Sequence, residues 1–213
     1  MDREEIYVTP EEESMAEALA YAEDYAASQG FAAKESLRIR LLTEELLGML
    51  AGITDDDFRA MFRIEGDQKK TRLYLSSTVD MTVSRREALI ASSKDRKNAA
   101  ATGIIGKLKD MIATAVLSFD ESAQIVADAP VTDFYNYGME MMAGNTAQMA
   151  WSLAGYRNSL EEQYIDLDKT DDFEDREPWD ELERSVLANL ADDVRVSIRK
   201  DHVEIVVERS VGK

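Results

Sequence analysis

The sequence contains no cysteine and only one histidine, His202, among its 213 residues. Without cysteine the chain can form neither disulfide bonds nor thiolate metal sites, and it has no thiol nucleophile. One histidine also excludes metal sites that are built from several imidazole rings. Any site must therefore be made from carboxylates, hydroxyls, amides, the cations of lysine and arginine, and the backbone.

Basic residues are few relative to acidic ones. The 25 lysines and arginines face 43 aspartates and glutamates, so the formal net charge is −18. A field this negative repels the phosphates of nucleic acids and the headgroups of anionic lipids. The composition therefore predicts no nucleic-acid partner and no membrane partner, and it favours solubility or a basic protein partner.

Long apolar runs are absent as well. The longest nearly uncharged apolar stretches, residues 46–53 and 111–117, are far shorter than the roughly 20 residues that a membrane-spanning helix needs. The first residues are charged and lack the apolar core of a signal peptide. The hydrophobic fraction of 45% is nevertheless sufficient for a folded core. We expect a folded, cytoplasmic protein.

The first half of the chain begins with a predicted short strand at residues 6–8. Thr9 and Pro10 have the chemistry of a helix N-cap and first helical residue, so we expect a helix from there to about Gly30. A second helix is predicted over residues 34–50, because apolar side chains recur there at helical spacing. That apolar stripe consists of Leu37, Leu41, Leu42, Leu46 and Met49.

Two β-hairpins are predicted from alternating apolar and polar residues. The first joins residues 62–65 to 72–75 through a turn at Gly66-Asp67-Gln68. The second closes the chain and pairs Val194, Val196 and Ile198 with Val203, Ile205 and Val207 across Lys200-Asp201. Further helices are expected at residues 84–90, 103–117 and 179–190.

The middle of the chain offers weaker signals. Residues 137–156 are predicted to be helical, with a cluster of apolar side chains that forms core, a dimer seam or an adaptable partner surface. Residues 166–177 are predicted to be an acidic linker; their spacing of aspartates is similar to a calcium loop but lacks the glycine at its sixth position. The apolar cluster consists of Met139, Met141, Met142, Met149 and Trp151.

Three features follow one another in a set order. A helix carries the paired Glu44 and Glu45, a predicted strand leads into Asp80, and Gly103 and Gly106 open a later helix. This order, together with the Gly-Phe connection at residues 30–31, resembles the GHKL superfamily of Bergerat-fold ATPases. The closest likeness is to anti-sigma-factor serine kinases and histidine-kinase-like ATP-binding domains, over residues 4–117 and with the closing hairpin as a further candidate.

The resemblance implies roles for individual residues. Glu45 takes the position of the family's general base, which activates an attacking hydroxyl or water. Asp80 takes that of the carboxylate that accepts a hydrogen bond from the adenine amino group. Gly103 and Gly106 take those of the glycines that let backbone N–H groups approach phosphates at a helix start. ATP is therefore the implied ligand.

Lysines lie where the family has a mobile lid over the phosphates, namely Lys94, Lys97 and Lys107. Two departures from the family pattern stand beside them. Met49 replaces the asparagine that coordinates magnesium, and a thioether is a poor ligand for a hard cation. The residues after Asp80 are Met81-Thr82-Val83-Ser84, without the two glycines of the family's motif. The resemblance therefore implies weakened magnesium binding and no dedicated metal site.

These observations predict an α/β (α+β) two-layer sandwich, in which helices cover one mixed or antiparallel, Bergerat-like sheet. We expect a histidine-kinase-like ATPase domain at residues 1–117, a helical extension with the acidic linker at 118–177, and a helix and hairpin at 178–213 that complete the sheet.

The leading functional hypothesis is a degenerate anti-sigma-factor-like ATP-binding module that acts as a regulatory protein-interaction domain. Its nucleotide binding is expected to be weak or lost, and the implied partner is a sigma-factor-like or anti-anti-sigma-like regulator. Two alternatives stay open. One is an active ATP-dependent serine kinase or ATPase with Glu45 as general base, and the other is a scaffold protein that forms homodimers.

Overall fold

The computed structural model describes residues 5–54, 58–78, 139–142, 148–167, 185–199 and 201–212. The elements, in chain order, are β1 (Ile6–Val8), α1 (Glu12–Ser28), α2 (Ala33–Thr54), β2 (Ala60–Gly66), β3 (Lys70–Thr78), β4 (Met139–Met142), β5 (Gln148–Ser152), α3 (Leu153–Leu167), α4 (Val186–Leu190), β6 (Asp193–Arg199) and β7 (His202–Ser210).

Across these described ranges, seven strands form one sheet in the order β1-β2-β3-β7-β6-β5-β4. Every neighbouring pair is antiparallel. The closing hairpin lies in the middle of the sheet, because β7 pairs with β3 over nine residues, from Lys70↔Ser210 to Thr78↔His202. The prediction that this hairpin completes the sheet is confirmed.

Both predicted hairpins are confirmed, and the closing hairpin has the predicted register. In the closing hairpin Val194 pairs with Val207, and Val196 pairs with Ile205. In the β2–β3 hairpin Gly66 has a φ of +133°, and a Cβ there would lie 2.0 Å from the carbonyl oxygen of Lys70. Only glycine fits such a close approach between two backbones.

The core lies on one face of the sheet. Along β3, β6 and β7, alternate side chains are buried, and these are the ones that the helices cover. Strands β1, β2 and β5 and helices α1, α2, α3 and α4 contribute further buried side chains. The result is an α+β two-layer sandwich, as predicted, and its sheet is antiparallel. Among the described residues, no helix has both the length and the apolar character needed to span a membrane.

The first helix begins later than predicted. Its N-cap is Glu11, whose backbone is extended, and the helix starts at Glu12 rather than at Pro10. The predicted cap, Thr9, instead uses its backbone N–H to donate to the hydroxyl of Ser14, at 3.0 Å. The end of the helix is as predicted, because Gly30 adopts a φ of +69° directly after the C-cap Gln29.

The second helix, α2, buries a partly different set of side chains from the predicted stripe. Leu37 was expected to face the core but is exposed, while Ile39 is fully buried. The helix also continues to Thr54. Because α2 is covered by α1 on one side and by the sheet below, its buried surface is wider than a single apolar stripe.

The helix predicted over residues 137–156 is wrong at residues 139–142 and 148–152. These residues form the strands β4 and β5, which extend the sheet beyond β6, and helix α3 begins at Leu153. Backbone pairing with β6 outweighs the helical spacing of the methionines, since an unpaired edge of a sheet is a strong template for another strand. Trp151 is a core residue, 4% exposed, with its ring 6.1 Å from that of Tyr156.

Two further predictions are affected by the structure. The acidic linker was expected to begin at Asp166, but α3 continues to Leu167. Of the helix predicted over residues 179–190, the structure describes α4. The helices predicted at residues 84–90 and 103–117 lie outside the described residues.

A buried ion pair joins the start of α2 to the end of β7. Arg209, 5% exposed, donates through Nε to Glu35, 7% exposed, and its Nη2 lies 3.4 Å from Glu35 Oε2. Arg209 Nη1 donates to the carbonyl of Leu190 at the end of α4. Burial by itself raises the pKa of Glu35, but hydrogen bonds from Arg209 and Arg38 outweigh it and hold that pKa below the ordinary value of 4.5.

We expect Arg209→Met to lower the free energy of unfolding by about 3–5 kcal/mol, because it leaves the carboxylate of Glu35 buried without its partner. Urea denaturation at neutral pH measures this loss. The matched control is Glu23→Gln, which breaks an exposed ion pair with Arg40 and should cost less than about 1 kcal/mol. Equal losses in the two variants would contradict the role assigned to the buried pair.

The same pair should make stability depend on pH. Since the folded-state pKa of Glu35 is lowered, its contribution is present above the ordinary value of 4.5 and is lost as the pH falls below it. The stability difference between the parent protein and Glu35→Gln should therefore shrink on acidification. Denaturation curves at several pH values check this, and a difference that grows towards acid pH would refute it.

Candidate functional site

Helix α2 carries the one predicted catalytic residue that the structure describes. It packs against α1, against β3 and against the short helix α4. Its central turns are anchored by several side chains with no more than 1% exposure, which hold the helix rigidly above the sheet. These side chains are Ile39, Leu42, Leu46, Leu47, Met49 and Leu50.

Glu44 and Glu45 differ in their surroundings. Glu44 is exposed, whereas Glu45 is half-buried at the boundary between the core and solvent. Successive helical residues point about 100° apart, so two adjacent glutamates face different surroundings. A half-buried carboxylate such as that of Glu45 is shielded on one side and accessible on the other.

Met49 lies one helical turn after Glu45 and is fully buried. Residues four apart on a helix share one side, so Glu45 and Met49 stack along α2 with the carboxylate nearer to solvent and the thioether in the core. Thr43, also fully buried, donates its hydroxyl to the carbonyl of Ile39 at 2.9 Å. The side chains around Glu45 on this helix therefore serve packing.

Magnesium does not fit the donors that α2 supplies. The cation requires oxygen ligands, and at the expected ligand position the structure has a thioether among apolar side chains. Nor do the described ranges contain any group of three or more histidine, aspartate or glutamate side chains that could hold a metal ion. Of Glu45 and Met49, the two described residues to which the resemblance gives a role, only Glu45 has oxygen atoms that could bind a magnesium ion.

The remaining predicted site residues lie outside the described residues, so the structure neither gathers them around Glu45 nor separates them from it. Strand β3 ends at Thr78, two positions before Asp80 in the sequence. The predicted convergence of these residues on one cleft stays a prediction. They are Asp80, Lys94, Lys97, Gly103, Gly106 and Lys107.

Two charged residues of β7 form ion pairs that the sequence pattern was not used to predict. One is Arg209, which occupies a buried position of β7, in phase with Val203, Ile205 and Val207. A cation at a buried position of a strand needs a buried partner. The position of Arg209 in the alternating pattern of β7 could therefore have indicated a buried ion pair. The other is Glu208 on the opposite face, which accepts from Lys70 and Arg72 of β3.

Comparisons of the chain with protein-family models, with curated proteins and with solved structures found no match. The likeness to the GHKL superfamily therefore depends on the residues and on the element order alone.

The burial of Met49 has a measurable consequence. We expect Met49→Asn to lower the free energy of unfolding by about 3 kcal/mol, since it removes packing and places an amide in an apolar core. Met49→Leu is the control and should cost less than about 1.5 kcal/mol. If the asparagine variant were as stable as the leucine variant in urea denaturation, the position would face an open cleft and not the core.

Proposed function

We propose that the protein is a degenerate ATP-binding module of the anti-sigma type, which acts in the cytoplasm as a regulatory protein-interaction domain. The observation that carries the proposal is the pair of positions on α2. Glu45 is half-buried where a general base would act, while Met49, where a magnesium ligand would lie, is buried among apolar side chains.

The element order supports the proposal. Strand β1, helix α1, the connection at Gly30-Phe31, helix α2 with Glu45 and the β2–β3 hairpin follow one another as the GHKL resemblance implies. The closing hairpin joins the same sheet, beside β3. A two-layer sandwich with helices on one face is the architecture expected of a Bergerat-like domain.

Two features argue that nucleotide binding is weak or lost. Phosphoryl transfer in ATP-dependent enzymes needs a cation that neutralises charge as it develops on the phosphates. The thioether of Met49 cannot hold that cation through an oxygen ligand. The sequence after Asp80 also lacks the glycines that would let the backbone approach a nucleotide closely.

The outer surface of the helix layer supports a role in protein interaction. Helix α1 contains no lysine or arginine, and its exposed residues include Glu12, Glu13, Glu17, Glu23 and Asp24. On the neighbouring helix, Leu37 is 55% exposed. An acidic surface beside an exposed leucine suits a basic protein partner, such as a sigma-factor-like or anti-anti-sigma-like regulator.

A calorimetric titration of the protein with ATP, with and without magnesium, tests this proposal. We expect a dissociation constant weaker than roughly 1 mM, no dependence on magnesium and no ATP turnover. Glu45→Gln and Glu44→Gln are the matched variants, since they make the same chemical change at a half-buried and an exposed position. Neither should alter the titration.

Tight, magnesium-dependent binding in the parent protein would overturn the proposal. If turnover accompanied that binding and disappeared in Glu45→Gln but not in Glu44→Gln, the protein would be an active kinase or ATPase with Glu45 as its general base.

A further inference from the structure

The face of the sheet opposite the helices differs in charge from the rest of the molecule. Its side chains on β2, β3, β6 and β7 are those that alternate with the buried ones. On these four strands they include five cations and four carboxylates, and Glu5 adds a fifth carboxylate 3.5 Å from Arg63, so this face is close to neutral on a chain whose formal charge is −18. The cations are Arg63, Lys70, Arg72, Arg195 and Arg199, and the carboxylates are Glu65, Asp193, Glu204 and Glu208.

Glu208 is the centre of a cluster on this face, which we call the Glu208 patch and which consists of Glu208, Lys70, Arg72 and Arg195. Its carboxylate lies 2.6 Å from Lys70 Nζ, 2.7 Å from Arg72 Nε and 3.3 Å from Arg195 Nη2. Burial by itself raises the pKa of Glu208, but hydrogen bonds from Lys70 and Arg72 outweigh this and lower it. Glu208 is therefore ionised at neutral pH.

The exposure of these four side chains determines which charge a partner would contact. The side chain of Glu208 is only 14% exposed, whereas those of Lys70, Arg72 and Arg195 are 41%, 40% and 50% exposed. The carboxylate thus lies beneath the cations, and the patch presents positive charge to solvent. One carboxylate cannot neutralise three cations, and lysine and arginine have further N–H donors beyond those that reach Glu208.

The neighbouring acid reduces this excess without cancelling it, because two carboxylates beside three cations leave one positive charge. Asp193 lies 3.8 Å from Arg195 and is 21% exposed. Its Oδ1 accepts hydrogen bonds from the backbone N–H groups of Ala154, at 3.1 Å, and Val194, at 2.9 Å. These hydrogen bonds hold the carboxylate of Asp193 against the start of α3 and against β6.

The cations of the patch reach Glu208 from both sides of β7. Lys70 and Arg72 belong to β3 and Arg195 to β6, so the cations flank β7 and their strands are about 10 Å apart. Tyr74 and Val206 pair with each other in the adjoining row of the sheet, and the guanidinium of Arg63 lies 3.8 Å from the centroid of the Tyr74 ring. Tyrosine and arginine are the residue types that contribute most to protein interfaces.

We propose that the Glu208 patch is the docking surface for an acidic segment of a protein partner, whose carboxylates contact Lys70, Arg72 and Arg195. A short acidic peptide can reach the patch while avoiding the acidic helix layer. A nucleic-acid duplex is stiff and uniformly anionic, so its phosphates would also meet the field of the remaining chain. This inference rests on the interaction role proposed above, but it does not depend on nucleotide binding at α2.

The test measures the fluorescence anisotropy of a labelled octaglutamate peptide titrated with the full chain at low salt and without nucleotide. We expect saturable binding that weakens as salt is raised, because ionic contacts are screened. Arg195→Gln should weaken binding roughly 3-fold, and Arg72→Gln with Arg195→Gln roughly 10-fold. Arg195→Lys, which keeps the charge, should restore most of the affinity.

Arg40→Gln is the matched control, since it removes the same charge from the helix layer, where Arg40 is 39% exposed and paired with Glu23. It should leave the affinity within about 1.5-fold of the parent value, because Arg40 lies on the helix layer and the peptide is expected to bind on the opposite face of the sheet. Thermal unfolding confirms that each variant is folded.

Three results would overturn the inference: no saturable peptide binding, equal weakening by Arg40→Gln and Arg195→Gln, or tighter binding of a DNA duplex of equal charge. The last result would assign the patch to nucleic acid. None of these results alters the ATP titration, so failure of the patch and failure of the proposed α2 function are distinguishable.

Discussion

The pairing of β3 with β7 is the interaction on which the rest of the structure depends. Nine residues of each strand join the N-terminal half of the chain to its last hairpin. Without that pairing, β1, β2 and β3 would be one small antiparallel unit, and β7 would pair only with β6. The Glu35–Arg209 ion pair adds a second connection between the same two parts, because it ties the start of α2 to the end of β7. Helix α2, and Glu45 with it, is thereby held at a defined position over the centre of the sheet.

This arrangement gives the two faces of the molecule different chemistry. The helix layer exposes the acidic residues of α1, while the Glu208 patch on the open face of the sheet has its cations above its carboxylate. Net charge by itself would suggest a uniformly acidic surface. Because electrostatic recognition depends on which charges are exposed, a chain of −18 can still offer a cationic docking surface. An interaction protein with two such faces could contact partners of opposite charge at the same time.

On helix α2, Glu45 and Met49 differ in how well they fit the roles that the GHKL resemblance implies. Glu45 lies at the boundary of the core, which is compatible with the role that the GHKL resemblance implies. Met49, one turn away, is packed among apolar residues and cannot supply what a magnesium ion needs. Helix α2 therefore offers a carboxylate where the resemblance implies a base and a buried thioether where it implies a metal ligand, and we propose a regulatory module over an enzyme for this reason.

The sequence by itself determined the local pairings. Alternating valines and isoleucines placed the β6–β7 hairpin in its observed register, and Gly66 marked the β2–β3 turn, because a hairpin depends on residues close together in the chain. Tertiary structure alone decided that residues 139–142 and 148–152 are strands, since the unpaired edge of β6 recruits them against their helical spacing. It also decided which side of α2 is buried and that Arg209 meets Glu35. These outcomes depend on contacts between residues far apart in the chain, and a local sequence pattern does not reveal which residues those are.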